Sequence, residues 1–281
     1  MPKIVKVRNT NPPDLSSTFV SHDTSNLISY EYSAQEDIRL WLRLDADLTE
    51  LSGYSEPITA YEDSPSFSIE NVYSNNFKAA KFSDADNSNA LITYPSADNA
   101  LSFGDGSSDS PFSISLWLKK VIPIGTDNIG YLFAKADTNA KREFDAYYNP
   151  ASNRIFFRLW DESLSGPSSS YSFEGIYSDV SIEDSAWHHI CFTYDGTGGG
   201  SASTKIKLYV DGAEISTTDS SDATGGTYVA MEKVSTKFYI GAWWDGTAEF
   251  DGFISEFAVW SKVLSLNEIK AIYYNTYDGK R

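Results

Sequence analysis

Alternation constrains this chain more than any other feature in it. In IRLWLRLD, residues 38–45, Ile38, Leu40, Leu42 and Leu44 alternate with Arg39, Trp41 and Arg43. A period of two matches a β-strand, whose successive side chains point to opposite faces; on a helix the same spacing would scatter the apolar residues around the axis. FSISLWL at 112–118 repeats the device, with Phe112, Ile114, Leu116 and Leu118 on one face. GYLFAKA, REFDAYY, RIFFRLW, SYSFEGIYS, AWHHICFTYD, KIKLYV, AEIST, KFYIGAW and FDGFISEFAVW continue the series at short intervals. REFDAYY and RIFFRLW flank the turn NPAS and are predicted as a hairpin. Asp211-Gly212, between KIKLYV and AEIST, is the strongest hairpin signal of all.

One stretch predicts a helix, SLNEIKAIYYN from Ser265. Ser265 and Glu268 form a capping box that satisfies two orphan amides at a helix start. Leu266, Ile269, Ile272 and Tyr273 then recur at helical spacing. Many short strands and a single terminal helix predict an all-β fold: an antiparallel two-sheet β-sandwich of jelly-roll type, with one short C-terminal helix.

Residues 1–36 lack this pattern. Their NTNPPDLSSTFVSHDTSN is polar and Pro-punctuated, so an arm or linker is expected there, with the sandwich spanning 37–281. The charge balance, 22 basic residues against 39 acidic for a net −17, repels phosphate backbones and anionic lipid. It excludes nucleic acid and membrane insertion from the expected partners. A single cysteine excludes an internal disulfide. With no apolar leader and no run near 18 apolar residues, neither a secretion signal nor a membrane span is expected. Work outside a cell then implies release by lysis, by a specialised route, or as part of a particle.

SAWHHICFTYDG, 185–196, gathers two of three histidines and the only cysteine. On a strand, Trp187, His189, Cys191 and Thr193 share one face, which supplies two metal ligands where zinc needs three or four. A Cys–His pair at i, i+2 stands about 7 Å apart, too far for direct proton transfer. Structural packing is the expected role. The third histidine, His22, lies in the arm.

The same residues carry a resemblance. W-H-H-I-x-F-T-Y-D-G, then K-I-x-L-Y-V-D-G, then F-Y-I-G, then F-D-G-F-I-S-E-F-A-V-W-S-K-V-L-S-L-N-E-I resembles the laminin-G-type jelly roll of the concanavalin A-like lectin/glucanase group. Upstream, AAKFSDADNSNALITYP and PFSISLWLKK resemble the family's opening strands. The resemblance implies that the Trp-His-His strand is structural. It implies little about function, since this fold hosts enzymes, lectins and inert domains. Enzymes of the group carry Glu-x-Asp-x-x-Glu on one strand, and a retaining glycosidase needs two carboxylates about 5–5.5 Å apart. Glu143-Phe-Asp145 and Glu249-Phe-Asp251 begin that way, but Tyr148 and Ile254 stand where the last acid belongs. A glycoside hydrolase with an atypical carboxylate pair stays as an alternative.

Two binding features remain. Asp84, Asp86, Asn87 and Asn89 offer calcium-type oxygen ligands in one loop. The resemblance places a rim cation site among such loops and an F-x-G-x-I-D-E strand. That strand here reads Phe250, Gly252, Ile254, Ser255, Glu256, with serine in place of the aspartate. The expected calcium set is Asp84, Asp86, Asn87 and Glu256; the bland reading makes the loop residues turn formers. In GAWWDGTAEFDG, Trp243 and Trp244 are expected to face opposite sides of a strand, one of them forming a glycan platform with Asp245. The competing reading is that both are core. Taken together, these features predict a non-enzymatic, lectin-like structural protein. Its expected place is the surface of a virus (phage) particle, as a head decoration or tail component, or otherwise extracellular. The arm would dock on neighbouring subunits, and a cell-surface glycan is the expected ligand. The alternative is a free carbohydrate-binding lectin.

Overall fold

The computed structural model describes residues 37–44, 58–60, 66–72, 75–82, 91–93, 101–121, 129–138, 141–163, 172–182, 184–234, 236–244 and 248–277. The strands among them are β1 (Ile38–Leu42), β2 (Ile58–Ala60), β3 (Ser66–Val72), β4 (Asn75–Phe82), β5 (Leu91–Thr93), β6 (Phe112–Lys120), β7 (Gly130–Thr138) and β8 (Lys141–Asn149). They continue with β9 (Arg154–Asp161), β10 (Ser172–Ser178), β11 (His188–Tyr194), β12 (Ile206–Val210), β13 (Ala213–Ile215), β14 (Thr217–Asp219), β15 (Phe238–Ile240) and β16 (Gly252–Trp260). Helix α1 (Leu266–Tyr277) follows.

Two eight-stranded sheets result. Sheet A runs β13-β12-β11-β6-β16-β4-β3, with β1 also pairing on β16; sheet B runs β14-β10-β9-β8-β7-β15-β5-β2. All their strand pairings are antiparallel. The predicted sandwich is therefore the observed fold. AEIST, expected as one strand, divides at Ser216: β13 closes the edge of sheet A and β14 the edge of sheet B.

Alternation sorts the side chains as the sequence dictates. Ile114, Leu116 and Leu118 of β6 join Ile190, Phe192 and Tyr194 of β11 in the main core, facing Phe144, Ala146, Phe157 and Leu159 from sheet B. Phe157 stacks on Phe192 across the two sheets, with centroids 4.8 Å apart. Each such fully buried side chain contributes about 1.5–3 kcal/mol. Asp211 and Gly212 both take positive φ, 52° and 76°, which is what a two-residue hairpin of matching twist requires.

The capping box forms as predicted. Glu268 N–H donates to Ser265 Oγ at 3.3 Å, and Ser265 N–H donates back to Glu268 Oε2 at 2.8 Å. Helix α1 lies on the outer face of sheet A. Ile269 and Ile272 pack with Cys191, Tyr209, Ala258 and Trp260, while Tyr273 packs with Trp117, Trp187 and Phe253.

Candidate functional site

The histidine–cysteine cluster belongs to this helix-covered face. His189 is buried against the stacked pair Trp117 and Tyr273, with ring centroids at 5.5 and 5.9 Å. Among the described residues neither of its ring nitrogens has a hydrogen-bond partner, and burial pushes its pKa down to about 4. Burial likewise raises the Cys191 thiol, which keeps it protonated and unreactive. His188 faces the hairpin end instead: Nδ1 lies 2.8 Å from Asp211 and Nε2 2.9 Å from Asp184. Those carboxylates, Asp211 foremost, outweigh desolvation and lift its pKa to about 9. The pattern is packing plus a turn clamp. Among the described residues no group of three or more His, Cys, Asp or Glu is placed to hold a metal ion.

The paired acids of β8 do not share a face. A register shift opposes Lys135 to Phe144 and Ala136 to Arg142, leaving Glu143 as the extra residue of a bulge. Glu143 accepts from Ser102 Oγ (2.5 Å) and Val234 N–H (2.8 Å), with Lys135 Nζ at 3.4 Å. Burial raises its pKa to about 7 against the pull of Lys135. Asp145 points elsewhere. Both its oxygens take the fork of Arg158, Nε at 2.9 Å and Nη2 at 3.1 Å, and Oδ2 also accepts from Trp160 Nε1 at 2.6 Å. A period of two would align Glu143 with Asp145, but Glu143 is itself the extra residue of the bulge and so leaves that alternation.

Arg158 and Asp145 lie at the centre of the outer face of sheet B. The register of β7 to β10 sets Tyr131 beside Tyr147, Tyr147 beside Phe156, and Phe156 beside Tyr177, an aromatic rank crossing four strands. Tyr147 and Phe156 are stacked at 4.7 Å and 5°; Phe156 and Tyr177 follow at 5.1 Å. A second pair, Trp160 and Phe173, lies further along β9 and β10 at 4.8 Å. The Arg158 guanidinium spans the gap, 4.6 Å from the Tyr147 ring and 4.7 Å from that of Trp160. Its Nη2 also donates to Tyr131 Oη at 3.0 Å. Burial opposes the Arg158 charge, but Asp145 and the two tyrosines more than offset it, so its pKa stands above the ordinary value. Tyr131, Phe156, Phe173 and Tyr177 are all only half-buried.

The tryptophans of GAWW join this same face. Trp243 stacks on Tyr131 at 4.3 Å and 29°, and Trp244 packs with Tyr239 and Ala242. Tyr239 is the outward residue of β15, since its neighbours Phe238 and Ile240 both enter the main core. Opposite faces were expected, but that rule holds only inside a strand, and β15 ends at Ile240. Gly241 then takes φ +86°, and a Cβ there would fall 2.2 Å from the Phe82 ring. Only glycine permits this turn. Both tryptophans are half-buried, and Asp245 lies outside the described residues.

The calcium set is not brought together among the described residues. Asp84, Asp86 and Asn87 lie outside them. Glu256 is buried on β16 with φ +49°, at a bulge in the pairing of β16 with β6, and its N–H donates to Arg43 O at 3.0 Å. Its Oε2 accepts from Trp41 Nε1 at 2.9 Å, and Arg43 Nε stands 3.9 Å from Oε1. The sequence reading passed over Phe156, Arg158, Arg154 and Arg142. Counting outward from NPAS would have paired Tyr147 with Phe156 and Asp145 with Arg158.

Among the described residues no helix is long and apolar enough to cross a membrane. A search of curated proteins returns no match. Among solved structures, the receptor-binding domain of botulinum neurotoxin C/D mosaic serotype aligns with a TM-score of 0.58 at 16% identity. The alignment covers 85% of this chain and 51% of that one, so the chain spans about half the length of that structure. The binding domain of Paraclostridial Mosquitocidal Protein 1 aligns at 0.57 and 13% identity, covering 86% and 52%. A botulinum neurotoxin serotype D ligand-binding domain in complex with N-acetylneuraminic acid aligns at 0.55 and 16%, covering 85% and 52%. At such identities the likeness is one of fold. A laminin-G-type family model matches residues 93–270. With well over half of its length inside that match, the chain belongs to the concanavalin A-like lectin/glucanases superfamily.

Proposed function

We propose that this protein is a non-enzymatic carbohydrate-binding module whose ligand face is the outer surface of sheet B. One observation carries the reading: the aromatic rank Tyr131–Tyr147–Phe156–Tyr177, extended by Trp243, in which Tyr147 is buried and the other rings are half-exposed. The negative face of an aromatic ring attracts the C–H groups of a sugar, and rings fixed by stacking present a ready surface. Fold neighbours solved in complex with SialylT and with N-acetylneuraminic acid support the same ligand class. Against glycoside hydrolysis stand the engaged oxygens of Asp145 and the displacement of Glu143, which leave no free nucleophile–acid pair on β8. Trp243 is the principal contact of the proposed site, with Trp244 and the sequence neighbour Asp245 as further members of the set.

A shallow site of this kind binds weakly, at about millimolar Kd or roughly −4 kcal/mol. Display in many copies, as on a phage particle with residues 1–36 docked on neighbouring subunits, raises avidity without new contacts. The test is a multivalent sample on a glycan array. Wild type is expected to bind and Trp243→Ala to lose binding with a melt little changed; silence from wild type would reduce the protein to scaffold. Deleting residues 1–36 should abolish assembly and spare glycan binding, whereas a free lectin would show no assembly to lose. Calcium at Asp84, Asp86 and Asn87 belongs to the same proposal. Chelator should lower Tm and excess calcium restore it, since a ligand of the native state stabilises by mass action; an unchanged Tm leaves these residues as turn formers.

A further inference from the structure

We infer that the ligand of this face carries a carboxylate and that Arg154 recognises it, an inference that rests on the glycan-binding role proposed for sheet B. Among the described residues three guanidinium groups line this face, and two already pair with carboxylates. Arg158 closes a two-pronged ion pair on Asp145 and donates to Tyr131. Arg142 lies 3.6 Å over the Trp160 ring and pairs through Nε with Glu162. Arg154 differs. It lies 5.0 Å over the Tyr177 ring, is half-buried, and pairs with no carboxylate among the described residues.

Scarcity of acids does not explain this, because the chain carries 39 acidic residues against 22 basic ones. Stacking employs the face of a guanidinium and leaves its in-plane N–H donors unspent. Those donors form a rigid fork that matches the two oxygens of a carboxylate. Phe156 lies two residues along the same strand face, about 7 Å away, and pairs in register with Tyr177. A sugar ring resting on Phe156 and Tyr177 would bring an attached carboxylate to Arg154. The net charge of −17 does not forbid this. At physiological salt the screening length is about 8 Å, so the local contact outweighs distant repulsion.

The test compares carboxylated glycans with the same glycans after chemical reduction of their carboxylates to alcohols. Wild type should prefer the carboxylated form, and added salt should weaken that preference. Arg154→Ala should weaken carboxylated-glycan binding roughly 10- to 100-fold, as loss of charge-assisted hydrogen bonds does, while the melt and the weak binding of reduced glycans persist. Arg154→Lys, keeping charge but losing the fork, should fall between. Equal binding of both forms, or an Arg154→Ala variant unchanged on carboxylated glycans, overturns the inference. If neutral glycans then still bind and are lost in Trp243→Ala, the binding face itself stands. No binding of any glycan by wild type overturns the inference and the proposed function together.

Discussion

The two outer faces of the sandwich begin from the same sequence device and end differently. On sheet A the outward residues Trp117, Trp187, Cys191, Tyr209 and Trp260 are buried, because α1 lies across them. Even the polar atom of Trp117 is provided for: Nε1 donates to Thr276 Oγ1 on the helix at 2.6 Å. On sheet B the outward Tyr147 and Trp160 are buried under stacked guanidinium groups rather than a helix, while Tyr131, Phe156, Phe173 and Tyr177 remain half-buried. Cover from the same chain turns an aromatic face into core. Arginine stacking leaves one that is ordered and still open to water.

The contrast can be broken by measurement. Trp117→Ala should cost about 3–5 kcal/mol in denaturant unfolding, as removal of a fully buried tryptophan does. Phe156→Ala, on a half-exposed ring with stacked partners, should cost only about 1–2 kcal/mol. Equal costs would mean the sheet B face is core as well.

Acid sharpens the same difference. His189 is neutral and buried in the folded state, with its pKa depressed to about 4, so the unfolded chain binds the extra proton between about pH 6.5 and 4. Stability should therefore fall as pH drops through that window, by up to about 3 kcal/mol, and His189→Gln should flatten the loss. His188 works in the opposite sense. Its raised pKa contributes stability that is complete below about 6.5 and disappears as pH rises through about 9. A variant lacking His188 should lose that alkaline slope in a series of melts.

The smallest effect is expected at Cys191→Ala. It should cost about 1 kcal/mol for a small buried group, with glycan binding intact. Binding abolished in a variant that still melts cooperatively would move the functional site to the helix-covered face.

Strand periodicity, the capping box and the Asp211-Gly212 hairpin are local signals, and each is legible because neighbours in sequence decide it. The two faces of β11 could be assigned from alternation alone, down to His189 and Cys191 sharing the side that α1 covers. Three features escaped the period-two rule. Glu143 sits in a bulge, Glu256 turns into the left-handed region at another, and the chain leaves the strand at Gly241, swinging both tryptophans onto one face. Each depends on what the partner strand does, which the segment's own sequence does not record. The Arg158–Asp145 pair was within reach, since hairpin register follows from the NPAS turn. Its stacking between Tyr147 and Trp160 required the fold.

That stacking has a calorimetric consequence. Tyr131 is tied to Arg158 Nη2, Trp160 to Asp145, and Tyr147 to Phe156 by near-parallel contact. These side chains have given up rotamer freedom during folding, a loss of about 0.5–1.5 kcal/mol each that association otherwise imposes on floppy contact residues. Whatever settles on this surface meets rings already at rest. Titration heats across a temperature series should then show the negative heat-capacity change of apolar burial with little added entropic penalty from the protein side.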